Sequence, residues 1–201
     1  MSQLSQSKTM SKSKQALLNT AAAVLARNPG ASLSEIAAQA GIGRATLYRY
    51  FPLREVLIRE LAMAAIIAID QVTAEVQAQN LSSDKALLEF LKGVVPLGDR
   101  FHFLATEISA YQDPEVNAAY DRQLKELDVF VLQLKHDSVI APEVPNTWVT
   151  MVMDSLIWTA WSAVNSGDIA PNDAAILTYR TLLKGLSYSV HIESLDSGDR
   201  L

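Results

Sequence analysis

Between Arg44 and Arg54 the chain concentrates side chains that can hold a nucleic acid. Arg44 can donate two parallel hydrogen bonds to the O6/N7 edge of guanine, a contact worth ~1–3 kcal/mol of base discrimination. Ala45 is small enough for close approach, and its methyl can meet a thymine methyl. Thr46 can bond a base or a phosphate. Tyr48, Arg49 and Tyr50 bring two phenols and a guanidinium one turn later, where a phosphodiester backbone would pass. Arg54 opens the next helix, whose N-terminal amides favour an anion. Leu47 and Phe51, four residues apart, read as the core residues that anchor this segment.

Such a segment reads bases only if its neighbours present it as the second of two short helices across a tight turn. The flanking residues predict this arrangement. Ser32 or Ser34 can cap a first helix, and Glu35 follows Ser32 at capping-box spacing. Leu33, Ile36, Ala37 and Ala40 form its buried face. Gly41 can close that helix in the left-handed conformation, and Gly43 turns the chain into Arg44–Tyr50. Pro52 ends the second helix. Upstream, Leu17, Ala21, Val24 and Leu25 predict a helix from about residue 11 to Arg27, stopped by Asn28-Pro29-Gly30. Downstream, a long helix is predicted from about Leu53 to Gln79, and further helices over 84–95, 99–110, 114–137, 145–166 and 171–192. No stretch alternates with period two. The expected fold is all-α, about nine helices, with a flexible tail over 1–9, a helix-turn-helix domain over 10–58 and a larger helical body over 59–201.

Charge is divided in the same way. Residues 1–60 hold eight lysines and arginines against three glutamates, whereas the remainder holds nine basic and nineteen acidic residues. A basic head on an acidic body suits duplex DNA, because phosphate affinity follows the local field. The chain has no cysteine, which excludes disulfides and cysteine-ligated zinc. The start, Met1–Lys14, lacks the apolar stretch of a signal peptide, and the apolar run Leu61–Ile69 is too short to span a bilayer. A soluble cytoplasmic protein without a membrane partner is expected.

The stretch SLSEIAAQAGIGRATLYRYFPLREVL, residues 32–57, resembles the helix-turn-helix of the TetR family of transcriptional regulators nearly position for position. The resemblance implies DNA contact from Ser32, Arg44, Thr46, Tyr48, Tyr50 and Arg54. It also implies a dimeric body that holds two reader helices ~34–36 Å apart, the separation of successive major grooves. Two departures stand out. Leu25 occupies a place where many relatives carry an aromatic, and Gly43 replaces the serine or threonine common at the start of the recognition helix.

For the dimer contact the last two helices, about 147–166 and 171–192, are expected, since small residues such as Ala174, Ala175, Thr178 and Gly185 allow close approach. A small-molecule effector site is expected among Phe101, His102, Glu107, Tyr111, Met151, Asp154, Trp158 and Trp161, where aromatics mix with a few polar anchors. No cofactor or metal is called for. The function expected is a ligand-responsive homodimeric repressor on an inverted-repeat operator. An effector-independent nucleoid or division factor is the alternative. A helical adaptor would leave the Arg44–Tyr50 pattern without a purpose. An enzyme is disfavoured, because the three histidines are scattered and no nucleophile–base pair or phosphate-binding loop is visible.

Overall fold

The computed structural model describes residues 2–98, 100 and 107–186, with the side chains of 13–98, 100, 107 and 109–185. Those residues form eight α-helices: α1 (Ser2–Arg27), α2 (Leu33–Gln39), α3 (Arg44–Tyr50), α4 (Arg54–Gln77), α5 (Ser83–Val94), α6 (Pro114–His136), α7 (Asn146–Asn165) and α8 (Pro171–Leu186). Two short 3-10 turns, Val95–Leu97 and Ile108–Gln112, lie between α5 and α6. Most of the helix expected over 99–110 lies outside the described residues, as do residues 187–192 of the last expected helix. The backbone is helical from Ser2 onwards, where the sequence predicts an aperiodic tail to residue 9. The packed Leu17–Leu25 turns supply a nucleus, and extending a helix from an existing end costs far less than starting one.

Two apolar clusters organise these helices. In the first, Leu17, Leu18, Ala21, Ala22 and Leu25 of α1 meet Leu33, Ile36 and Ala37 of α2, Leu47 of α3, Phe51, and Leu57–Ile66 of α4. The second gathers Leu87 and Leu91 of α5, Val131 and Leu134 of α6, Val149, Met153 and Ile157 of α7, and Ala174, Ala175 and Leu182 of α8. Helix α4 belongs to both, because its first half enters the head cluster while Val72 packs against the second. At 1.5 Å per residue, its 24 residues span about 36 Å. One rigid rod therefore runs from the head into the body.

Helix α7 turns back into α8 over residues 166–170. Gly167 takes φ of 80°, its amide donates to the Val164 carbonyl, and the amide of Asp168 reaches Ala163. That pair of bonds satisfies the last carbonyls of α7 and reverses the chain sharply enough for the two helices to pack side by side. Among the described residues no helix is long and apolar enough to cross a membrane.

Candidate nucleic-acid interface and ligand cavity

The head is built by local chemistry that fixes α3 without using its outer side chains. Ser32 Oγ accepts from the Glu35 amide at 3.2 Å, and the Ser32 amide donates to Glu35 Oε2 at 2.7 Å. These bonds hold the Glu35 carboxyl below its ordinary pKa, first through the Ser32 amide and then through its hydroxyl. At the other end of α2, the Gly41 amide donates to Ala38 and the Ile42 amide to Ala37, with Gly41 at φ of 66°. Any other residue would be strained there. Gly43 then enters α3 in extended conformation with no side-chain cap.

Helix α3 is held by Leu47 and by Phe51 just beyond it, both fully buried. Its opposite side leaves Arg44, Ala45, Tyr48 and Arg49 exposed, with Thr46 and Tyr50 half-buried. The Arg44 guanidinium lies 5.8 Å from the Tyr48 ring centroid, and that of Arg49 lies 5.6 Å from the Tyr50 ring. Each ring shelves a cation beside it and keeps it oriented outward. Ser32 is exposed at the start of α2. Accepting the capping bond leaves its hydroxyl able to donate one.

Arg54 behaves differently from the phosphate ligand that the sequence suggests. Its two terminal nitrogens donate to the carbonyls of Ala31 and Pro29, each at 2.6 Å, and one lies 4.0 Å from Glu107 Oε2. The guanidinium is turned back onto the α1–α2 loop, where a planar fork of donors suits two carbonyls at once.

The body holds an open-sided cavity of about 810 Å³ between α4, α5, α6 and α7, large enough for a drug-sized ligand. Of the expected ligand residues, Tyr111, Asp154 and Trp158 line it. Glu107 does not, being drawn to Arg54 and Ser109 instead. Met151 faces outward on α7, because the helical period turns Val149, Met153 and Ile157 to the interior. Trp161 stands behind the wall. Its ring lies 4.7 Å from that of Trp158, and it packs on Gly98 so closely that a Cβ there would overlap it. Phe101 and His102 lie outside the described residues.

Sequence reasoning missed the wall contributed by Thr73 and Gln77 of α4 and by Gln123, Phe130 and Gln133 of α6. The available signal was Thr73 and Gln123, polar groups interrupting otherwise apolar stripes. Gln123 bridges two helices, donating to the Ile66 carbonyl at 2.9 Å and to Asp70 at 2.7 Å.

The electrostatics of the cavity are one-sided. Its walls carry Asp70, Glu126, Asp137 and Asp154, and no lysine, arginine or histidine lines it among the described residues. Asp70 and Glu126 are balanced by Arg122, which reaches them at 2.6 and 3.0 Å. Asp137 is held down to a pKa of about 2, chiefly by the Gln133 side-chain amide. Asp154 has no such partner among the described residues. Its side chain is exposed on the open cavity, yet the protein packed around it pushes its pKa up to about 6 by desolvation. Tyr111 and Tyr120, with ring centroids 4.7 Å apart, are both raised, first by burial, with the Asp154 charge adding to it.

A basic three-helix head that exposes Arg44, Tyr48 and Arg49, joined through one helix to a cavity-bearing body, defines the class of helix-turn-helix DNA-binding regulators. Residues 17–61 match the family model described as bacterial regulatory proteins, tetR family. Over 163 residues the chain is 33% identical to the HTH-type transcriptional repressor LfrR of Mycolicibacterium smegmatis, covering 78% of this chain and 81% of that protein. It is 23% identical over 173 residues to the HTH-type transcriptional regulator NfxB of Pseudomonas aeruginosa, covering 85% and 92% of the two chains. The crystal structure of LfrR from Mycobacterium smegmatis in complex with proflavine superposes with a TM-score of 0.71 at 28% identity, covering 89% of this chain and 98% of that one. The chain belongs to the TetR family of transcriptional regulators.

Proposed function

We propose that this regulator is a homodimeric repressor that binds an inverted-repeat operator and releases it when a cationic aromatic molecule enters the body. In this reading residues 10–58 are the reader, and 59–201 the regulatory and dimerising body. Arg44, Ala45 and Thr46 meet base edges, while Ser32, Tyr48, Arg49 and Tyr50 meet the sugar-phosphate backbone. The Arg54 side chain is left out of the contact set, because it is spent on the loop carbonyls.

The observation that supports the reading is the pairing of an outward Arg44–Tyr48 face with a largely apolar cavity whose charged lining residues, among those described, are all acidic. The cavity favours it over an effector-independent factor, which needs no such space. Asp154 is the counter-ion, and Tyr111, Phe130 and Trp158 supply flat apolar surface for the ring system. LfrR, the relative described above, is known in complex with proflavine, which makes that dye the natural first probe.

Ligand entry lowers operator affinity by favouring a pivot of α4 that changes the separation of the two readers. A hundredfold loss needs about 2.7 kcal/mol of differential binding. Selecting bound sequences from random DNA, with and without proflavine, tests the whole reading. An inverted repeat is expected, depleted when the dye is present. Recovery of a single half-site held by a monomer, with binding indifferent to Arg44→Ala, would reject it.

A further inference from the structure

The stretch between Glu107 and Glu115 faces two ways. Within it, Tyr111 lines the cavity against Tyr120. Ala110 and Val116, on either side, are buried in the same apolar cluster as α1, α2 and α3. The stretch therefore touches the ligand site with one side chain and the reader's core with its neighbours. Tyr111 and Glu107 are four residues apart, so they can be separated by no more than ~14 Å.

Both ends of this stretch are held by arginines of α4. At the first end the Arg54 guanidinium approaches Glu107 while gripping the carbonyls of Pro29 and Ala31, directly before the Ser32 cap of α2. At the second, Arg59 Nε lies 3.0 Å from Asp113 Oδ2, and its Nη2 is paired with Glu115. Asp113 also accepts from the amides of Glu115 and Val116, which fixes the start of α6. A displacement of Tyr111 cannot be absorbed locally, because close-packed Ala110 and Val116 leave no slack. It must move the stretch as a unit and pull on both arginines.

We infer that Arg54 and Arg59 are positioning residues, and that the 107–115 stretch carries cavity occupancy through them to the α1–α2 loop and so to the reader. The inference rests on the ligand-responsive reading above. None of the three ion pairs is buried, so each contributes little to stability. Their role is to transmit: when Glu107 shifts, Arg54 redistributes its donors between that carboxylate and the loop carbonyls, and α2 follows.

The test uses the full chain, its selected operator and proflavine. Operator affinity is measured with and without saturating dye, and dye affinity is measured on its own. Glu107→Gln and Arg59→Gln are compared singly and together. Each single variant is expected to keep both separate affinities within about twofold of the parent, and to reduce the ratio of dye-free to dye-bound operator affinity by roughly threefold. The double variant is expected to reduce that ratio by about tenfold. An unchanged ratio in the double variant overturns the inference and leaves the ligand response standing. Loss of operator affinity without dye, at an unchanged ratio, reveals a merely structural clasp and also overturns it. A parent protein with no ratio to lose overturns the ligand response, and this inference with it.

Discussion

Two side chains carry most of the chemistry at the scale of single residues. Arg44 is exposed at the first turn of α3, where a recognition helix approaches base edges. Arg44→Ala should weaken operator binding by about 10- to 100-fold, in line with ~1–3 kcal/mol for a bidentate guanine contact. It should also relax preference at one position of each half-site, and competition between variant operators measures both effects. Asp154 gives a pH prediction with a definite sign. Its folded pKa of about 6 lies above the ordinary carboxylate value. Its contribution to the stability of the free protein is therefore greatest in acid and is lost as pH rises through about 6. A cation needs the ionised form, so dye affinity runs the other way. It should fall about tenfold between about pH 7.5 and pH 5, following the protonation of a group of that pKa. Fluorescence titration across this range checks it, and Asp154→Asn should bind more weakly with a flat profile. A parent profile flat through pH 6 would remove Asp154 from the counter-ion role.

Elements differ in how well residue types alone foretell them. Helices α2 and α3 were legible almost to the residue, since their limits are set by the Ser32–Glu35 box, Gly41 and Pro52, all acting within four positions along the chain. The cavity wall was legible only in part. Which side of α4 or α6 faces inward depends on how each helix is rotated against its neighbours, so Gln77, Phe130 and Gln133 carry no mark of their own. Arg54 shows the same limit: a guanidinium at a helix start suits a phosphate or a nearby carbonyl equally well, and in this structure it holds the carbonyls of Pro29 and Ala31. Helix α7 shows what such contacts can fix. Gly98 admits Trp161 against the backbone, and Trp161 in turn backs Trp158 in the cavity wall. Gly98→Ala forces that indole out of place. The expected cost is about 1–3 kcal/mol, as for other over-packed sites, read as a lower thermal midpoint. Dye affinity should fall with it while operator affinity without dye is kept, because no reader residue is touched.

For the whole molecule, the size of the reader against the duplex argues for two heads acting together. One seven-residue reader helix covers few base pairs, and linking two multiplies affinity without any new contact. The surface we propose for the twofold lies on α7 and α8. Trp148 is 57% exposed, Met151 66% and Leu177 54%, although all three are large and apolar. Trp148, Met151, Ser155 and Thr159 follow one another along the outer face of α7, and Leu177 and Thr181 do so on α8. Side chains of this size left in water mark a surface that another surface covers. A second copy is the economical partner, since a self-complementary contact also fixes the distance between the readers. Met151→Glu combined with Leu177→Glu should place like charges against each other across that contact. Sedimentation should then report a monomer whose helicity and thermal midpoint match the parent, because neither residue belongs to an apolar cluster of the subunit. Affinity for the full inverted repeat should fall to that for an isolated half-site. If the doubly charged variant still sediments as a dimer and still prefers the full repeat, the twofold lies elsewhere, and the apolar strip of Val129 and Leu132 on α6 becomes the surface to charge next.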